Sequence, residues 1–527
     1  SRVWGAGVGL LLFLLLCVFA RPNTTMKCTN NCNSATRKWY VGTLCLCIVY
    51  GVMNIMVNID VVRLNNVVSN DNGSVRENKL SNSSQQSKSS SITCDFYSPE
   101  LEEIVFSNGL WQVPLNSSAY LYSAYMDIRD RKKPVIRVIG MAEQSGTLEP
   151  FYCQIWYDLE EPSDVTEATI EEMWLEWDVK GNQPYYRPYL FSCPLSVPFE
   201  ELKSLPTHVS LTGEPCELAS SLLPVSQAGL GTYVKNASRG DFAVCVKGMD
   251  FEQDMSVRMI EWIELNRILG ADHFFIYVYS VHPNVMRVLR YYESLRILSV
   301  IVLNLPGKQP NFPPSRTKFL KRNVWQKRRN ELIPYNDCLY RSLYRYKYIL
   351  PIDIDEVPVP VNHYTWREMF EDIASTTPRM AQKYAGFSIQ NAYFFDEVNL
   401  AQDNSIPAHF HMLQTVYRSS NFSKPGYSIK SFVNTTATKT VFNHYPIMLL
   451  YPHMKENTIL PTSLAQMNHY KSKCPAVFYP DCKDNYLKYI VHDTITWRYM
   501  DQLVPKVNKI IYNLGIKLFS KANKTVI

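Results

Sequence analysis

Charged side chains are sparse in this chain, 19% of its 527 residues, and the formal net charge of +6 is spread along the whole length. No basic domain of the kind that tracks a phosphate backbone stands out, which argues against a nucleic-acid-binding protein. No segment recurs at a fixed period, so a repeat architecture is excluded. Neither a G-x-S-x-G elbow nor a P-loop occurs, which removes an α/β-hydrolase nucleophile and a Walker-type phosphate cradle. The eight cysteines beyond residue 57 lack C-x-x-C spacing, so a zinc framework is excluded as well.

What is present is apolar and aromatic. Apolar residues make up 46% of the chain, with 34 tyrosines and 10 tryptophans. That composition is globular, and the aromatic load suits a sugar-handling protein, although aromatics also simply fill cores. Two uncharged apolar runs, Val3–Ala20 and Trp39–Val57, are each long enough to cross a bilayer core of about 30 Å. Lys27, Arg37 and Lys38 flank the second run on its N-terminal side. The positive-inside rule leaves that flank in the cytosol and everything after Val57 outside it. Residues 1–57 are therefore expected to be a tail with one or more membrane-spanning segments, with Met26 an alternative start. The eight later cysteines fit disulfides in an oxidising compartment, their pairing open. Sequons at Asn72, Asn82, Asn116, Asn236, Asn421, Asn434 and Asn523 agree with that side of the membrane.

Residues 58–93 have almost no apolar side chains and read as a flexible stem. Residues 94–235 carry short apolar-aromatic runs, such as PVIRVIG and FYCQIWYDL, broken by proline, glycine and charge. That punctuation predicts a mainly-β lumenal domain. From about residue 236 to 510 strands and helices alternate. Strand runs at 242–249, 273–280 and 299–305 are separated by helical faces around Met255–Leu269 and Val285–Leu295. A helix over about 330–346 leads into a strand that ends at Asp353-Ile354-Asp355-Glu356, with Pro358 and Pro360 closing it. The order predicts an α/β fold, a mostly parallel sheet flanked by helices, with its ligand at the carboxyl ends of the strands. Residues 511–527 are left as a C-terminal tail.

Two aspartates either side of one residue at a strand end can hold a hard cation against a diphosphate. The bland alternative is a solvated turn. Context then becomes specific. The passage NDCLYRSLYRYKYILPIDIDEVPVP (336–360) resembles the signature of glycosyltransferase family 92. EWIELNRILGADHFFIYVYS (261–280), YSIKSFVNTTATKTVFNHYP (427–446) and AQMNHYKSKCP (465–475) resemble three further elements of that family, in order. Val357 and Lys471 depart from its pattern, which more often has an aromatic and an arginine there.

The resemblance implies a GT-A type nucleotide-sugar-binding fold, type II topology in the Golgi membrane, and a metal-dependent transfer with inversion. The expected donor is a UDP-sugar, and the metal is Mn2+ or Mg2+. The acceptor would be a glycan or glycoprotein, with galactose added to the core fucose of N-glycans as the family precedent. Asp353, Asp355 and His469 are the candidate metal ligands, with His444 in reserve. Asp353 could instead hold the donor ribose, and Lys430 its phosphate. Asp396 and Glu397 are candidate general bases, since inversion requires one. The basic run 316–329 reads as a solvated loop and helix start, with attraction of the donor diphosphate or of anionic membrane lipids as the alternative. A catalytically inactive glycan-binding protein on the same fold is the alternative, and a metal-free glycosidase with two carboxylates a third reading.

Overall fold

The cysteines that sequence spacing left unassigned all find partners. Cys94 bonds to Cys216, Cys153 to Cys193, Cys245 to Cys338 and Cys474 to Cys482. The structure is a computed structural model that describes residues 92–518, apart from 95–96, 144–147, 161–162, 175–184, 400–402 and 475–479. Both apolar N-terminal runs, the stem and the end of the tail lie outside the described residues. Among the described residues no helix is long and apolar enough to cross a membrane.

Residues 92–226 build an antiparallel-rich sheet of eleven strands. Its centre is the antiparallel trio Ala119–Asp127, Val135–Glu143 and Tyr186–Pro194.

From residue 240 the chain alternates as its hydrophobic pattern predicts. We number the elements β1 (Gly240–Phe251), α1 (Ser256–Leu269), β2 (His273–Val281), α2 (Pro283–Ser294), β3 (Leu298–Val302), α3 (Pro313–Arg322), α4 (Val324–Ser342) and β4 (Tyr346–Pro351). There follow β5 (Glu356–Pro360), α5 (Trp366–Thr376), β6 (Tyr384–Ile389), β7 (Asn391–Phe395), β8 (Tyr417–Phe422) and β9 (Lys430–Asn434). Last come β10 (Thr438–Val441), β11 (Pro446–Leu449), β12 (Lys455–Ile459), β13 (Ala465–Lys471), β14 (Ile490–His492) and α6 (Met500–Asn513). One sheet runs β3-β2-β1-β4-β9-β6-β12, and a second runs β5-β13-β7-β8-β14. Strands β3, β2, β1 and β4 are mutually parallel, and β9 is antiparallel to both β4 and β6. The chain therefore winds outward from β1 to β3 and then returns to place β4 on the other side of β1. The carboxyl ends of β1 and β4 form the switch point at which such sheets open a crevice.

Helix α4 joins the two halves of the molecule. Its Asn-Asp-Cys segment is fully buried and makes three different connections. Asn336 pairs both ways with the Val441 backbone, its Nδ2 donating at 3.0 Å and its Oδ1 accepting at 2.9 Å. Asp337 accepts from Ser123 Oγ at 2.8 Å, Tyr277 Oη at 2.7 Å, Arg341 Nε at 2.6 Å and the Tyr125 hydroxyl. Cys338 bonds to Cys245 of β1. One continuous apolar cluster contains Leu121, Ile139 and Leu190 of the N-terminal sheet with Ile333 and Leu339 of α4 and Phe275 and Val433 of the later sheet. The two halves thus share a core. The other face of the parallel sheet is covered by α1, α2 and α6 through Trp262, Leu289 and Leu503.

One expectation needs correction. The strand leading to the acidic motif ends at Pro351, and Pro358 and Pro360 do not terminate it; they sit inside β5, which pairs with β13 in the register Glu356↔His469. Strand β5 is an edge, where a missing N–H breaks no ladder. Its outward carbonyls are satisfied by side chains. Trp262 Nε1 donates to Glu356 O at 2.8 Å, Trp366 Nε1 to Pro358 O at 2.7 Å, and an Arg498 nitrogen to Pro360 O.

Candidate active site

The acidic motif occupies the tight link between β4 and β5, at the carboxyl end of β4 beside that of β1. Strand β1 carries a register shift between Val246 and Met249. Such a bulge re-aims a side chain, and Lys247 lies within it. Its Nζ stands 3.1 Å from Asp353 Oδ1 and 3.3 Å from Glu331 Oε1. Gly248 follows, and a Cβ there would meet the Tyr279 ring at 2.3 Å, so the bulge closes only on glycine.

Lys430 at the start of β9 is 2% exposed and bridges two acids, 3.3 Å from Asp353 Oδ2 and 3.1 Å from Glu356 Oε2. Glu356 Oε2 also accepts from the Asp353 backbone N–H at 2.8 Å, which fixes the turn. Burial alone would raise the Asp353 carboxyl, but Lys247 and Lys430 outweigh it and hold the group well below the usual carboxylate range. Burial likewise opposes the charge on Lys430, and Asp353 with Glu356 raises it instead. The lysine expected to contact phosphate is thus engaged with carboxylates.

His469 of β13 stands between two other acids. Its Nε2 lies 3.5 Å from Asp355 Oδ2 and its Nδ1 3.4 Å from Glu356 Oε1. Lys471 Nζ approaches Asp355 Oδ2 at 3.8 Å. Burial would raise Asp355, and His469 and Lys471 bring it below the ordinary value. Asp355 is 40% exposed and Glu356 2%, so one acid faces the cleft and the other backs the imidazole.

Two cavities meet at Asp353. The first, of about 820 Å³, is lined by Lys247, Arg258, Lys321, Lys327, Asp355 and Asp396 among others, and its cationic side chains outnumber its acids. The second, of about 520 Å³, is lined by Tyr393, Phe395, Tyr427, Tyr486, His444 and His469 among others. Asp353 and Lys471 line both. The basic run therefore does more than face solvent. Lys321 and Lys327 line the first cavity and Arg328 the second, while Arg316 is buried against Asp250 at 2.8 Å.

His444 Nδ1 lies 2.6 Å from the Ile429 carbonyl, which can only accept, so the proton sits on Nδ1. Burial, with Lys430 adding to it, pushes His444 down to about 3. It is a neutral side chain at the aromatic cavity. Of the two candidate bases, Asp396 lines the basic cavity and accepts from His411 Nε2 at 2.8 Å. Glu397 is exposed; its Oε1 accepts from the Cys474 backbone N–H at 3.1 Å, and it lines neither cavity. His411 and Lys247 had no signal in the sequence, because neither belongs to a local pattern.

Asp355 and His469 offer an oxygen and a nitrogen 3.5 Å apart, donors that suit a divalent cation. A carboxylate behind the imidazole is the usual support for a ligating histidine. Asp353 has one oxygen facing Lys247 and the other facing Lys430. Among the described residues no group of three or more histidine, cysteine or acidic side chains is placed to hold a metal.

The model of glycosyltransferase family 92 matches residues 240–506. The chain belongs to that family. The matched region contains the acidic motif, both of its lysines, His469 and Asp396, so the geometry above is that of a family 92 domain. A curated β-1,4-galactosyltransferase, galt-1 of Caenorhabditis elegans, is 23% identical over 316 residues, covering 58% of this chain and 67% of that protein. A solved structure, residues 1–349 of TarS of S. aureus, aligns with 55% of this chain and 76% of its own at 11% identity, with a TM-score of 0.22.

Proposed function

We propose that this family 92 protein is an inverting glycosyltransferase that moves a hexose, galactose in the first instance, from a UDP-sugar to a glycan hydroxyl. The single observation that carries the reading is the shared wall at Asp353, with a basic cavity on one side and an aromatic one on the other. Both volumes fall in the range of roughly 300–1,000 Å³ usual for small-molecule sites. Their position at the switch point between β1 and β4 is consistent with a GT-A type sheet.

The basic cavity takes the donor diphosphate, whose charge Lys247, Lys321, Lys327 and Lys471 offset. The aromatic cavity takes sugar rings, with Tyr393, Phe395, Tyr427 and Tyr486 offering flat apolar faces and hydroxyls. Transfer joins an acceptor oxygen to the anomeric carbon as the bond to the diphosphate oxygen breaks, its electrons leaving with phosphate. The acceptor's proton passes to Asp396 at the junction of the two cavities: Asp396 lines the basic one, and the preceding Phe395, in register with Lys471, lines the aromatic one that holds the acceptor. A divalent cation held by Asp355 and His469 would supply further electrophilic stabilisation of the leaving diphosphate. Lys430 acts from behind by holding Asp353 and Glu356 in place. A signal anchor in residues 1–57, type II topology and residence in the Golgi complete the proposal. They rest on the apolar runs, the sequons and the family resemblance.

The test is a screen of UDP-sugars against the purified full chain, with and without a fucosylated N-glycan acceptor, in manganese and after chelation. Release of UDP from one sugar, stimulated by acceptor and lost on chelation, is the expected result. Binding of glycans with no turnover of any donor would favour the inactive glycan-binding alternative.

A further inference from the structure

Asp396 does not stand alone at the basic cavity. His411, fifteen residues later, reaches back to it with Nε2 2.8 Å from Asp396 Oδ1. A carboxylate only accepts, so Nε2 carries the proton and donates. The loop that presents His411 is rigidly held. Glu261 of α1, wholly buried, accepts the backbone N–H groups of His411 at 2.8 Å, Met412 at 2.9 Å and Leu413 at 3.2 Å. The imidazole also packs edge-on to Tyr470, with ring centroids 5.8 Å apart. Trp497 Nε1 donates to Leu413 O at 2.9 Å and closes the loop from its other side.

Those buried hydrogen bonds fix the backbone that carries the His411 imidazole, 16% exposed in its side chain, whose ring donates to a carboxylate of the cavity. We propose that His411 is a positioning residue for the transfer reaction. It orients Asp396 through Oδ1 so that the carboxylate meets the acceptor hydroxyl as that hydroxyl attacks. During the step the hydroxyl O–H breaks and its proton goes to Asp396, while His411 keeps its own proton on Nε2. The inference rests on the transferase reading and adds a residue to it. A strut of this kind is what a general base needs, since a small misplacement costs a large fraction of the rate.

The test uses the full chain and whichever UDP-sugar the wild type turns over fastest, with water or glycan as acceptor. His411→Ala is expected to lower kcat about 10- to 100-fold, with the donor KM and the melting temperature unchanged. His411→Gln, whose amide N–H can replace Nε2–H, is expected to return kcat to within about fivefold of wild type. Unchanged kcat in His411→Ala would overturn the inference, and so would equal losses in both variants accompanied by equal drops in melting temperature. A wild-type protein that binds UDP yet turns over no donor would overturn the transferase reading and this inference with it. Turnover in wild type with no effect of His411→Ala removes the inference alone.

Discussion

Lys430 Nζ stands 3.3 Å from Asp353 Oδ2, although 77 residues separate them in the chain. The same ammonium reaches Glu356 at 3.1 Å, so one buried cation spans the first and last acids of the motif. Removing it would leave Glu356 buried without its counter-charge. Lys430→Met is therefore expected to destabilise the protein by about 3–5 kcal/mol, read as a shifted midpoint in chemical denaturation. A loss below about 1 kcal/mol, the scale of a surface pair, would show that the bridge does not form.

Asp337 makes the second prediction. It accepts from side chains of the N-terminal sheet, of β2 and of its own helix. Asp337→Asn removes the counter-charge of Arg341 and forces the Ser123, Tyr125 and Tyr277 hydroxyls, which all donate to the carboxylate, to rearrange around an amide N–H2. The expected destabilisation is about 1–3 kcal/mol, and because the core is shared, both halves should unfold in one transition. Two separate transitions, with the N-terminal sheet melting alone, would contradict the shared core.

The third concerns pH. Asp127 is buried with Arg129 at 2.8 Å and Arg137 at 3.2 Å. Burial would raise its carboxyl, but the two guanidinium groups prevail and hold it far below the ordinary range. In the folded protein this acid binds its proton later than in the unfolded chain. Its contribution is thus complete above the unfolded value of about 3.9 and is lost as pH falls toward the folded one. Urea midpoints measured between pH 5 and pH 2 should fall, and Asp127→Asn should flatten that slope. A variant with the same slope as wild type would assign the acid sensitivity elsewhere.

A fourth prediction separates the histidines. His444, with its proton fixed on Nδ1 by Ile429 and its acidity pushed to about 3, should show no titration by NMR between pH 5 and 8. A His444 signal titrating near neutral pH would mean that the imidazole is not enclosed as described.

The alternation of strands and helices from residue 240 was legible because it is written locally. Runs such as FAVCVKGM and HFFIYVYS are apolar on both faces, as strands of a covered parallel sheet must be. The acidic motif was legible because its acids are adjacent in the chain. What sequence could not show was everything set by distant pairing. Lys247 and Lys430 converge on Asp353 only through the β1-β4-β9 order, and His411 meets Asp396 only through the loop tied to Glu261. The basic run 316–329 read chiefly as solvated because it is rich in base and holds no acid, yet its side chains line both cavities and Arg316 is buried. Pro358 and Pro360 read as strand breakers because edge position and tryptophan-capped carbonyls are tertiary facts. The N-terminal sheet read as a separate unit because its run of short strands says nothing of the core it shares with α4.

The most direct measurement is the steady-state turnover of the best UDP-sugar by wild type and by Asp355→Ala. Asp355 faces the cleft, while Asp353 and Glu356 carry the buried bridge to Lys430, so this variant should fold and melt as wild type does. The account predicts at least about a 100-fold loss of kcat with UDP still bound. Near-normal turnover in the folded variant would contradict it.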